Sequence, residues 1–316
     1  MPQTYPFQQV DVFTSTPYLG NPVAVVNCLT SSDSASAPAP PTTEEMQRFA
    51  VWTNLSETTF LLPPTDASAH YQLRIFTTTQ ELPFAGHPTV GSCRVFLDQI
   101  GQQAASALLD KTGGKVVQQC QIGLVELRIA PTDGTISFVA PPLTRFEPVD
   151  ADTVARACHT FGLDPSTDVL EAKWIVNGPQ WFCLRLKDAQ TVKSVTVRDK
   201  EKCGDLDVGL VGPYPGGRNE HGEEVAYEVR GFAFAEGVPE DPVTGSLNAG
   251  IAMWLHATGQ APSKSYVNSQ GTAIGRRGRI SIVTEEAQGG GDSGAGTAKI
   301  WVGGQVANCI TGTVVI

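Results

Sequence analysis

The sequence reads His87-Pro-Thr-Val-Gly-Ser92 in its first half and Asp241-Pro-Val-Thr-Gly-Ser246 in its second. The two stretches differ in their first residue and in one adjacent swap, and they are 154 residues apart. Each follows a strand-like segment that carries a phenylalanine and an acidic residue. These pairs are Phe76 with Glu81 and Phe234 with Glu236. The repeat predicts two related halves, each with one central helix and many strands.

A helix-like run follows each copy of the repeat. The first run covers Cys93 to Ile100 and the second covers Leu247 to Thr258, and each is followed by a glycine, which is the usual C-cap residue. Because the start of a helix presents N–H groups and a partial positive charge, it is suited to binding carboxylates. Gly86, Gly245 and Ser246 would let such a ligand approach the backbone closely.

Two titratable side chains occupy the matching corner of the repeat, His87 in the first half and Asp241 in the second. Taken alone, His87 is typical of a structural residue that bonds a nearby carbonyl, and Asp241 of a helix N-cap before proline. At matching positions of a repeat, both become candidates for an active site. Two helix starts that face each other would hold an anionic molecule from both sides.

Glu57 is the third candidate. We expect Ser56 to Leu62 to form a half-buried strand, in which a glutamate is disfavoured unless it faces solvent. If Glu57 instead faces the cleft among apolar groups, desolvation raises its pKa and suits it to exchanging a proton near neutrality.

Composition limits the classes of function. The chain has 316 residues, which predicts roughly two domains at about 150 residues each. We expect the boundary near the Pro pair at 141–142, giving lobes 1–140 and 141–316, with the alternative that the terminal strand crosses to the first lobe. With 22 basic and 32 acidic residues, the net charge of −10 argues against nucleic acid or an anionic membrane as the main partner. A small anionic substrate needs only a local patch of donors.

The cysteines and histidines predict neither a disulfide framework nor a metal site. The seven cysteines are scattered and never spaced C-x-x-C, which is typical of reduced thiols in a cytosolic protein. No H-x-x-x-H pair occurs, no transmembrane segment is evident and no signal peptide is visible. We therefore expect a cytoplasmic protein.

Four local segments complete the prediction. We expect a helix over about 43–53 behind the capping box Thr42-Thr-Glu-Glu45, and a second helix over 152–161 that ends at Gly162. The segments 31–41 and 285–297 are biased in composition and are expected to be loops.

These residues resemble the PhzF-like family of phenazine biosynthesis proteins. The resemblance covers almost the whole chain, and its motifs run in the family's order: Gly20-Asn-Pro22, Leu55-Ser-Glu-Thr-Thr-Phe60, Glu81-Leu-Pro-Phe-Ala-Gly-His-Pro-Thr89, Arg230-Gly-Phe232, Glu240-Asp-Pro-Val-Thr-Gly-Ser246 and Gly303-Gly-Gln-Val-Ala307. The resemblance implies an α+β, diaminopimelate epimerase-like fold. In that fold two similar domains each curl an antiparallel sheet around a central α-helix, and the active site lies in the cleft between them.

The same resemblance implies a function. The family's best-known activity is the isomerisation of trans-2,3-dihydro-3-hydroxyanthranilate by a proton shift without a cofactor, and its members are typically homodimers. Its acid/base glutamate falls on Glu57, its supporting histidine on His87 and its aspartate on Asp241. Ser56, Gly86, Thr244, Gly245 and Ser246 are assigned to substrate binding, with backbone donors at 86–87 and 245–246 holding a carboxylate.

Other functions stay open at this point. Epimerases of this fold use one cysteine from each half, and no cysteine lies in either motif here, so two-thiol racemisation is not expected. The same residues could epimerise, dehydrate or tautomerise another small carboxylic acid. A protein that binds a small acid without turnover is the alternative from a different class. Residues between Tyr5 and Asn21 and around Arg230 are expected to help line the cleft.

Overall fold

A computed structural model describes residues 2–29, 39–286 and 298–316. The chain divides into two compact units, one formed by Met1–Phe138 with Gly303–Ile316 and the other by Val139–Val302. The C-terminal strand belongs to the first unit because it pairs along its whole length with the N-terminal strand. Most of the two segments expected to be loops, at 31–41 and 285–297, lies outside the described residues.

Strands outnumber helices along the chain, and most helices lie between groups of strands. The helices are α1 (Thr43–Thr53), α2 (Gly86–Ile100), α3 (Gln102–Thr112), α4 (Ala151–Phe161), α5 (Ala189–Ser194) and α6 (Gly245–Ala257). The strands of the first half are β1 (Thr4–Val12), β2 (Asn21–Asn27), β3 (Thr58–Leu62), β4 (Tyr71–Phe76), β5 (Glu81–Leu82), β6 (Lys115–Cys120), β7 (Gly123–Ile129) and β8 (Ile136–Val139). Those that follow are β9 (Arg145–Pro148), β10 (Val169–Val176), β11 (Trp181–Leu186), β12 (Asp207–Pro213), β13 (Tyr227–Ala233), β14 (Ser265–Gln270), β15 (Gly278–Glu285), β16 (Lys299–Gly304) and β17 (Val306–Val315).

Within the first unit the strands lie in the order β17, β1, β2, β3, β4, β6, β7, β8, with β5 as a short partner of β4. The pairs β2–β3 and β4–β6 are parallel, whereas the other pairs are antiparallel. Parallel neighbours need a crossover connection, and α1 and α2 lie in these two connections.

The second unit shows the same alternation of antiparallel and parallel strand pairs. Its order is β9, β10, β11, β12, β13, β14, β15, with β11–β12 and β13–β14 parallel and the other pairs antiparallel. Each unit therefore has the same α+β arrangement, in which β10 to β15 match β1 to β7 without the short β5. The prediction of an α+β fold with two similar halves is confirmed.

One buried helix packs against the sheet of each unit. Helix α2 contacts β1 to β4, and helix α6 contacts β10, β11 and β15. Small residues permit this close packing: an added Cβ on Gly91 would lie 2.6 Å from Val23 Cγ1, and one on Gly250 would lie 2.8 Å from the Ile175 carbonyl oxygen.

The local signals for two other helices are confirmed. Thr42 caps α1: its hydroxyl accepts from the Glu45 N–H at 3.3 Å, and Glu45 Oε2 accepts from the Thr42 N–H at 2.8 Å. Helix α4 begins behind Asp150, whose carboxylate accepts from the Thr153 N–H, and it ends at Gly162 in the left-handed conformation.

The expected starts of the two central helices are wrong. Helix α2 begins at Gly86 rather than Cys93, and α6 begins at Gly245 rather than Leu247. The prolines of the motif obscured the first start, because Pro88 lies within the first turn of α2, where a missing N–H leaves no intrahelical bond unmade.

The register of the repeat is wrong for the same reason. The two helices start 159 residues apart, so Gly86 corresponds to Gly245 and His87 to Ser246. Gly91, which the six-residue match pairs with Gly245, lies inside α2 against β1 and β2. Asp241 precedes its helix and is not the counterpart of His87.

A second repeat gives the strand correspondence. The sequence Tyr71-Gln-Leu-Arg-Ile-Phe76 forms β4, and Tyr227-Glu-Val-Arg-Gly-Phe232 lies at the same place in β13. In both strands the guanidinium lies over the phenylalanine ring, at 5.1 Å from the Phe76 centroid and 5.0 Å from the Phe232 centroid. The shared spacing Tyr-x-x-Arg-x-Phe is visible in the sequence and would have predicted that β4 and β13 correspond.

The acidic partners follow from this repeat. Arg74 donates to both carboxylate oxygens of Glu81, and Arg230 donates to both carboxylate oxygens of Glu240. The expectation that Phe234 and Glu236 correspond to Phe76 and Glu81 is therefore wrong, since Phe234 and Glu236 lie in a short 3-10 turn after β13.

Candidate active site

Glu57 lies immediately before β3, not inside it. Helix α1 ends at Asn54, whose φ of 55° is left-handed, and the chain then turns through residues 55 and 56. The hydroxyls of Thr53 and Thr58 lie 2.7 Å apart and close this turn. The expected strand over residues 56–62 therefore starts two residues too early. The turn before β3, and not the strand geometry, determines where the Glu57 side chain lies.

The Glu57 carboxyl lies beside His87. His87 Nε2 is 3.2 Å from Glu57 Oε2, and the two side chains are only 8% and 15% exposed. Burial raises the pKa of Glu57 to about 7, an effect that a hydrogen bond from the Ser56 side chain partly offsets. The carboxyl is thus poised between its protonated and ionised forms at neutral pH.

Buried hydrogen bonds hold α2 against the strands beside Glu57. The Thr59 and Ser92 hydroxyls lie 2.9 Å apart and join β3 to the helix. Gln118 donates to the Thr89 hydroxyl at 3.1 Å and accepts from the Tyr71 hydroxyl at 3.1 Å. These contacts fix the first turns of α2, which carry His87, relative to the strand that follows Glu57.

The start of α2 has no side-chain cap. Ala85 is the N-cap residue, and the first bond of the helix runs from the Thr89 N–H to the Ala85 carbonyl at 3.2 Å. Gly86 and His87 therefore come before the intrahelical ladder, and their N–H groups are not used by it. Ser56, Glu57, Gly86 and His87, all predicted site residues, belong to this first unit.

The predicted residues of the second unit surround the start of α6. Asp241 is not its N-cap, because Thr244 occupies that position. The Asp241 N–H donates to the Gly231 carbonyl at 2.8 Å, and its Oδ2 accepts from the Thr244 hydroxyl at 2.6 Å. Gly245 and Ser246 are the first two helical residues.

Buried amides hold this helix start. Gln270 donates to the Thr244 hydroxyl and to the Asp241 carbonyl, and it accepts from the Thr244 N–H and from Asn248. Asn268 in turn donates to the Asn248 side-chain oxygen at 3.1 Å. Gln270, Asn248 and Asn268 are fully buried. Sequence reasoning missed this network, whose members lie on different elements and share no motif.

Arg230 is a buried residue whose hydrogen bonds stabilise the second unit. Its side chain is 6% exposed, and its guanidinium nitrogens donate to Glu240 and to the carbonyls of Val192 and Val195. These donors of Arg230 are therefore used within the second unit, and the expectation that residues around Arg230 help to line a ligand site stays a prediction.

One carboxyl that sequence reasoning missed lies in the second unit. Asp207 is the first residue of β12, the counterpart of β3, and is 4% exposed. Burial raises the pKa of Asp207 to about 6, and the nearby Glu236 adds to the shift. No pattern in the sequence distinguishes this aspartate from a solvated one.

The cysteines are protonated thiols. Burial raises the pKa of Cys93 to about 12, and it raises the pKa of Cys183 well above its usual range. Within residues 2–29, 39–286 and 298–316, no group of three or more His, Cys, Asp or Glu side chains could hold a metal ion. In the same ranges, no helix is both long and apolar enough to span a bilayer.

Comparison with known proteins agrees with this architecture. Residues 10–312 match the family model described as phenazine biosynthesis-like protein. The chain belongs to this family. It is 34% identical to antisense-enhancing sequence 1 of Schizosaccharomyces pombe over 97% of both chains. It is 31% identical to the trans-2,3-dihydro-3-hydroxyanthranilate isomerase of Pseudomonas aeruginosa, over 88% of this chain and 90% of the relative.

A solved structure shares the fold of this family member. The phenazine biosynthesis protein of the PhzF family from Bacillus anthracis aligns over 99% of this chain and all of its own, with a TM-score of 0.74 and 20% identity. With relatives named as isomerases, the function that these comparisons support is of the isomerase type.

Proposed function

We propose that this protein is a cofactor-independent isomerase that moves a proton on a small carboxylated metabolite, with Glu57 as its acid/base. The observation that carries the proposal is the desolvated Glu57 carboxyl, with a pKa of about 7, at 3.2 Å from His87. An acid/base catalyst is most effective when its pKa lies near the working pH.

Glu57 would act first as a base. Its ionised carboxylate is poorly solvated and therefore takes a proton from a substrate carbon more readily than an exposed glutamate does. The protonated carboxyl would then return the proton to another carbon of the same molecule. His87 at 3.2 Å would keep the Glu57 carboxyl in one orientation during both transfers.

The substrate carboxylate would bind at a helix start. The first N–H groups of α2 and α6 are not used by their helical ladders, and glycine at 86 and 245 leaves room for an oxygen to approach. We assign Ser246, with the N–H groups at 245 and 246, to this carboxylate. Asp241, held by the Thr244 hydroxyl, would orient a polar group of the substrate.

The identity with the Pseudomonas aeruginosa relative suggests the first compound to test. That relative is named as an isomerase of trans-2,3-dihydro-3-hydroxyanthranilate, which is a small carboxylic acid. Epimerisation or tautomerisation of another acid would use the same groups, so the assay has to detect proton exchange as well as product.

Exchange in deuterated water tests the proposal. The protein is incubated with trans-2,3-dihydro-3-hydroxyanthranilate in D2O, and deuterium on carbon is followed by NMR and mass spectrometry. We expect wild type to introduce deuterium and Glu57→Gln to reduce the rate by about 10² to 10⁴. Glu126→Gln, which alters a carboxylate on β7 with a 38% exposed side chain, is the control and should exchange at the wild-type rate.

Two outcomes would contradict the proposal. Exchange by Glu57→Gln at the wild-type rate would remove Glu57 from the chemistry. Binding of the acid with neither exchange nor product, in wild type, would favour a non-catalytic acid-binding protein.

A further inference from the structure

The turn between β10 and β11 is hydrogen-bonded to the start of α6. Trp181, the first residue of β11, donates from its indole N–H to Ser246 Oγ at 3.0 Å. Asn177, which follows β10, donates from its side-chain amide to the Ser246 carbonyl at 2.9 Å. Residues on both sides of the β10–β11 turn therefore donate hydrogen bonds to the same serine, Ser246. Trp181 is only 2% exposed.

The chemistry of these partners decides what the serine hydroxyl can do. An indole N–H only donates, so Ser246 Oγ must act as its acceptor. The hydroxyl has one hydrogen of its own, and that hydrogen is then directed to another acceptor. Across the described ranges, the contacts of Ser246 include none in which a protein group accepts this hydrogen.

We propose that Trp181 is a positioning residue that aims the Ser246 hydroxyl hydrogen at the carboxylate of the substrate. This inference rests on the proposed function, in which Ser246 binds that carboxylate. Because the N–H groups of Gly245 and Ser246 can also only donate, these groups and the directed hydroxyl form a set of donors at the start of α6, where the Asp241 carboxylate accepts from the Thr244 hydroxyl. Such a set favours an anion over a neutral amide or alcohol.

Packing alone is the competing explanation for Trp181. A large buried ring contributes to stability wherever it lies, and its removal lowers activity if the fold loosens. The second unit offers a matched control, because Trp254 in α6 is fully buried and its indole N–H has no hydrogen-bond partner among residues 2–29, 39–286 and 298–316. Trp254→Phe removes the same atoms without removing a hydrogen bond.

A double-mutant cycle tests the proposal. For trans-2,3-dihydro-3-hydroxyanthranilate, we expect Trp181→Phe to raise KM about tenfold while kcat changes less than about twofold. Ser246→Ala should have a similar effect, and the double variant should be no worse than Ser246→Ala alone. Trp254→Phe should leave KM unchanged. The Kd of the same acid, measured in a Glu57→Gln background, should follow the same pattern without turnover.

The outcomes separate the two proposals. If Trp181→Phe raises KM equally with and without Ser246, the ring acts through packing and the inference is overturned. If Ser246→Ala raises KM but Trp181→Phe does not, the inference also fails and the proposed carboxylate site survives. If Ser246→Ala leaves KM unchanged, both the carboxylate role of Ser246 and the inference fall, while the role of Glu57 is decided by the exchange assay.

A second replacement covers the case in which Trp181→Phe does not fold. Replacement of Trp181 by 3-benzothienylalanine exchanges the N–H for sulfur at nearly constant volume, so that only the donor is lost. A KM raised about tenfold supports the inference, and a wild-type KM overturns it.

Discussion

The starts of α2 and α6 occupy equivalent positions in the two units, yet their surroundings differ in chemistry. Two titratable groups, Glu57 and His87, lie at the start of α2, and both side chains are largely shielded from solvent. The start of α6 is held mainly by neutral groups, namely the indole of Trp181 and the amides of Asn177 and Gln270, and the Asp241 carboxylate there accepts from the Thr244 hydroxyl.

Under the proposed function, this difference would assign separate roles to the two helix starts. A desolvated carboxyl can exchange a proton near neutrality, whereas neutral donors that cannot ionise are suited to holding a charge without competing for the proton. We therefore expect the first unit to supply the proton chemistry and the second to supply anion binding.

The largest effect is expected on turnover. Glu57→Gln should lower kcat by about 10² to 10⁴, whereas Ser246→Ala should mainly raise KM, because the first change removes the acid/base and the second removes a binding donor. Steady-state kinetics on one substrate measure both. Equal losses of kcat in the two variants would break the proposed division.

The next effect concerns stability and the two arginine–glutamate pairs. The Arg230 and Glu240 side chains are 6% and 11% exposed, against 22% and 19% for Arg74 and Glu81. Arg230→Met should destabilise the fold by about 3 to 5 kcal/mol, because it leaves a buried carboxylate unpaired. Arg74→Met should cost only about 1 kcal/mol. Urea unfolding of both variants provides the comparison, which similar losses would contradict.

The smallest effect is a pH-dependent gain in stability. The pKa of Glu57 is about 7 in the folded protein and 4.5 in its usual setting. As pH rises from 4.5 to 7, the unfolded chain releases this proton first, so wild type loses stability that Glu57→Gln keeps. The variant should be more stable by up to about 3 kcal/mol at pH 8, and by almost nothing at pH 4.

Urea titrations of wild type and Glu57→Gln at these two pH values would measure this gain. A variant that is less stable than wild type at pH 8 would mean that the Glu57 carboxylate is well solvated or firmly paired in the fold. That result would also weaken the assignment of Glu57 as the base.

Local signals predicted the parts of the fold that depend on neighbouring residues. The capping box at Thr42 predicted α1, and Gly162 predicted the end of α4, because caps satisfy backbone groups within one or two turns. The starts of α2 and α6 were misplaced because proline in or before a first turn looks like an interruption. As a result, the six-residue match predicts an offset of 154 residues between the two halves, whereas the two helices start 159 residues apart.

The sequence by itself determined that two related α+β halves exist and that Glu57, His87, Asp241 and the two glycine-bearing helix starts are the candidates for chemistry. Only the tertiary structure decided that Glu57 lies next to His87, that Arg230 is used by the fold, and that Trp181 and Gln270 hold the start of α6. The physical reason is that a pKa shift or a hydrogen bond depends on burial and on groups distant in the chain. Periodicity and short motifs record only what lies within a few residues.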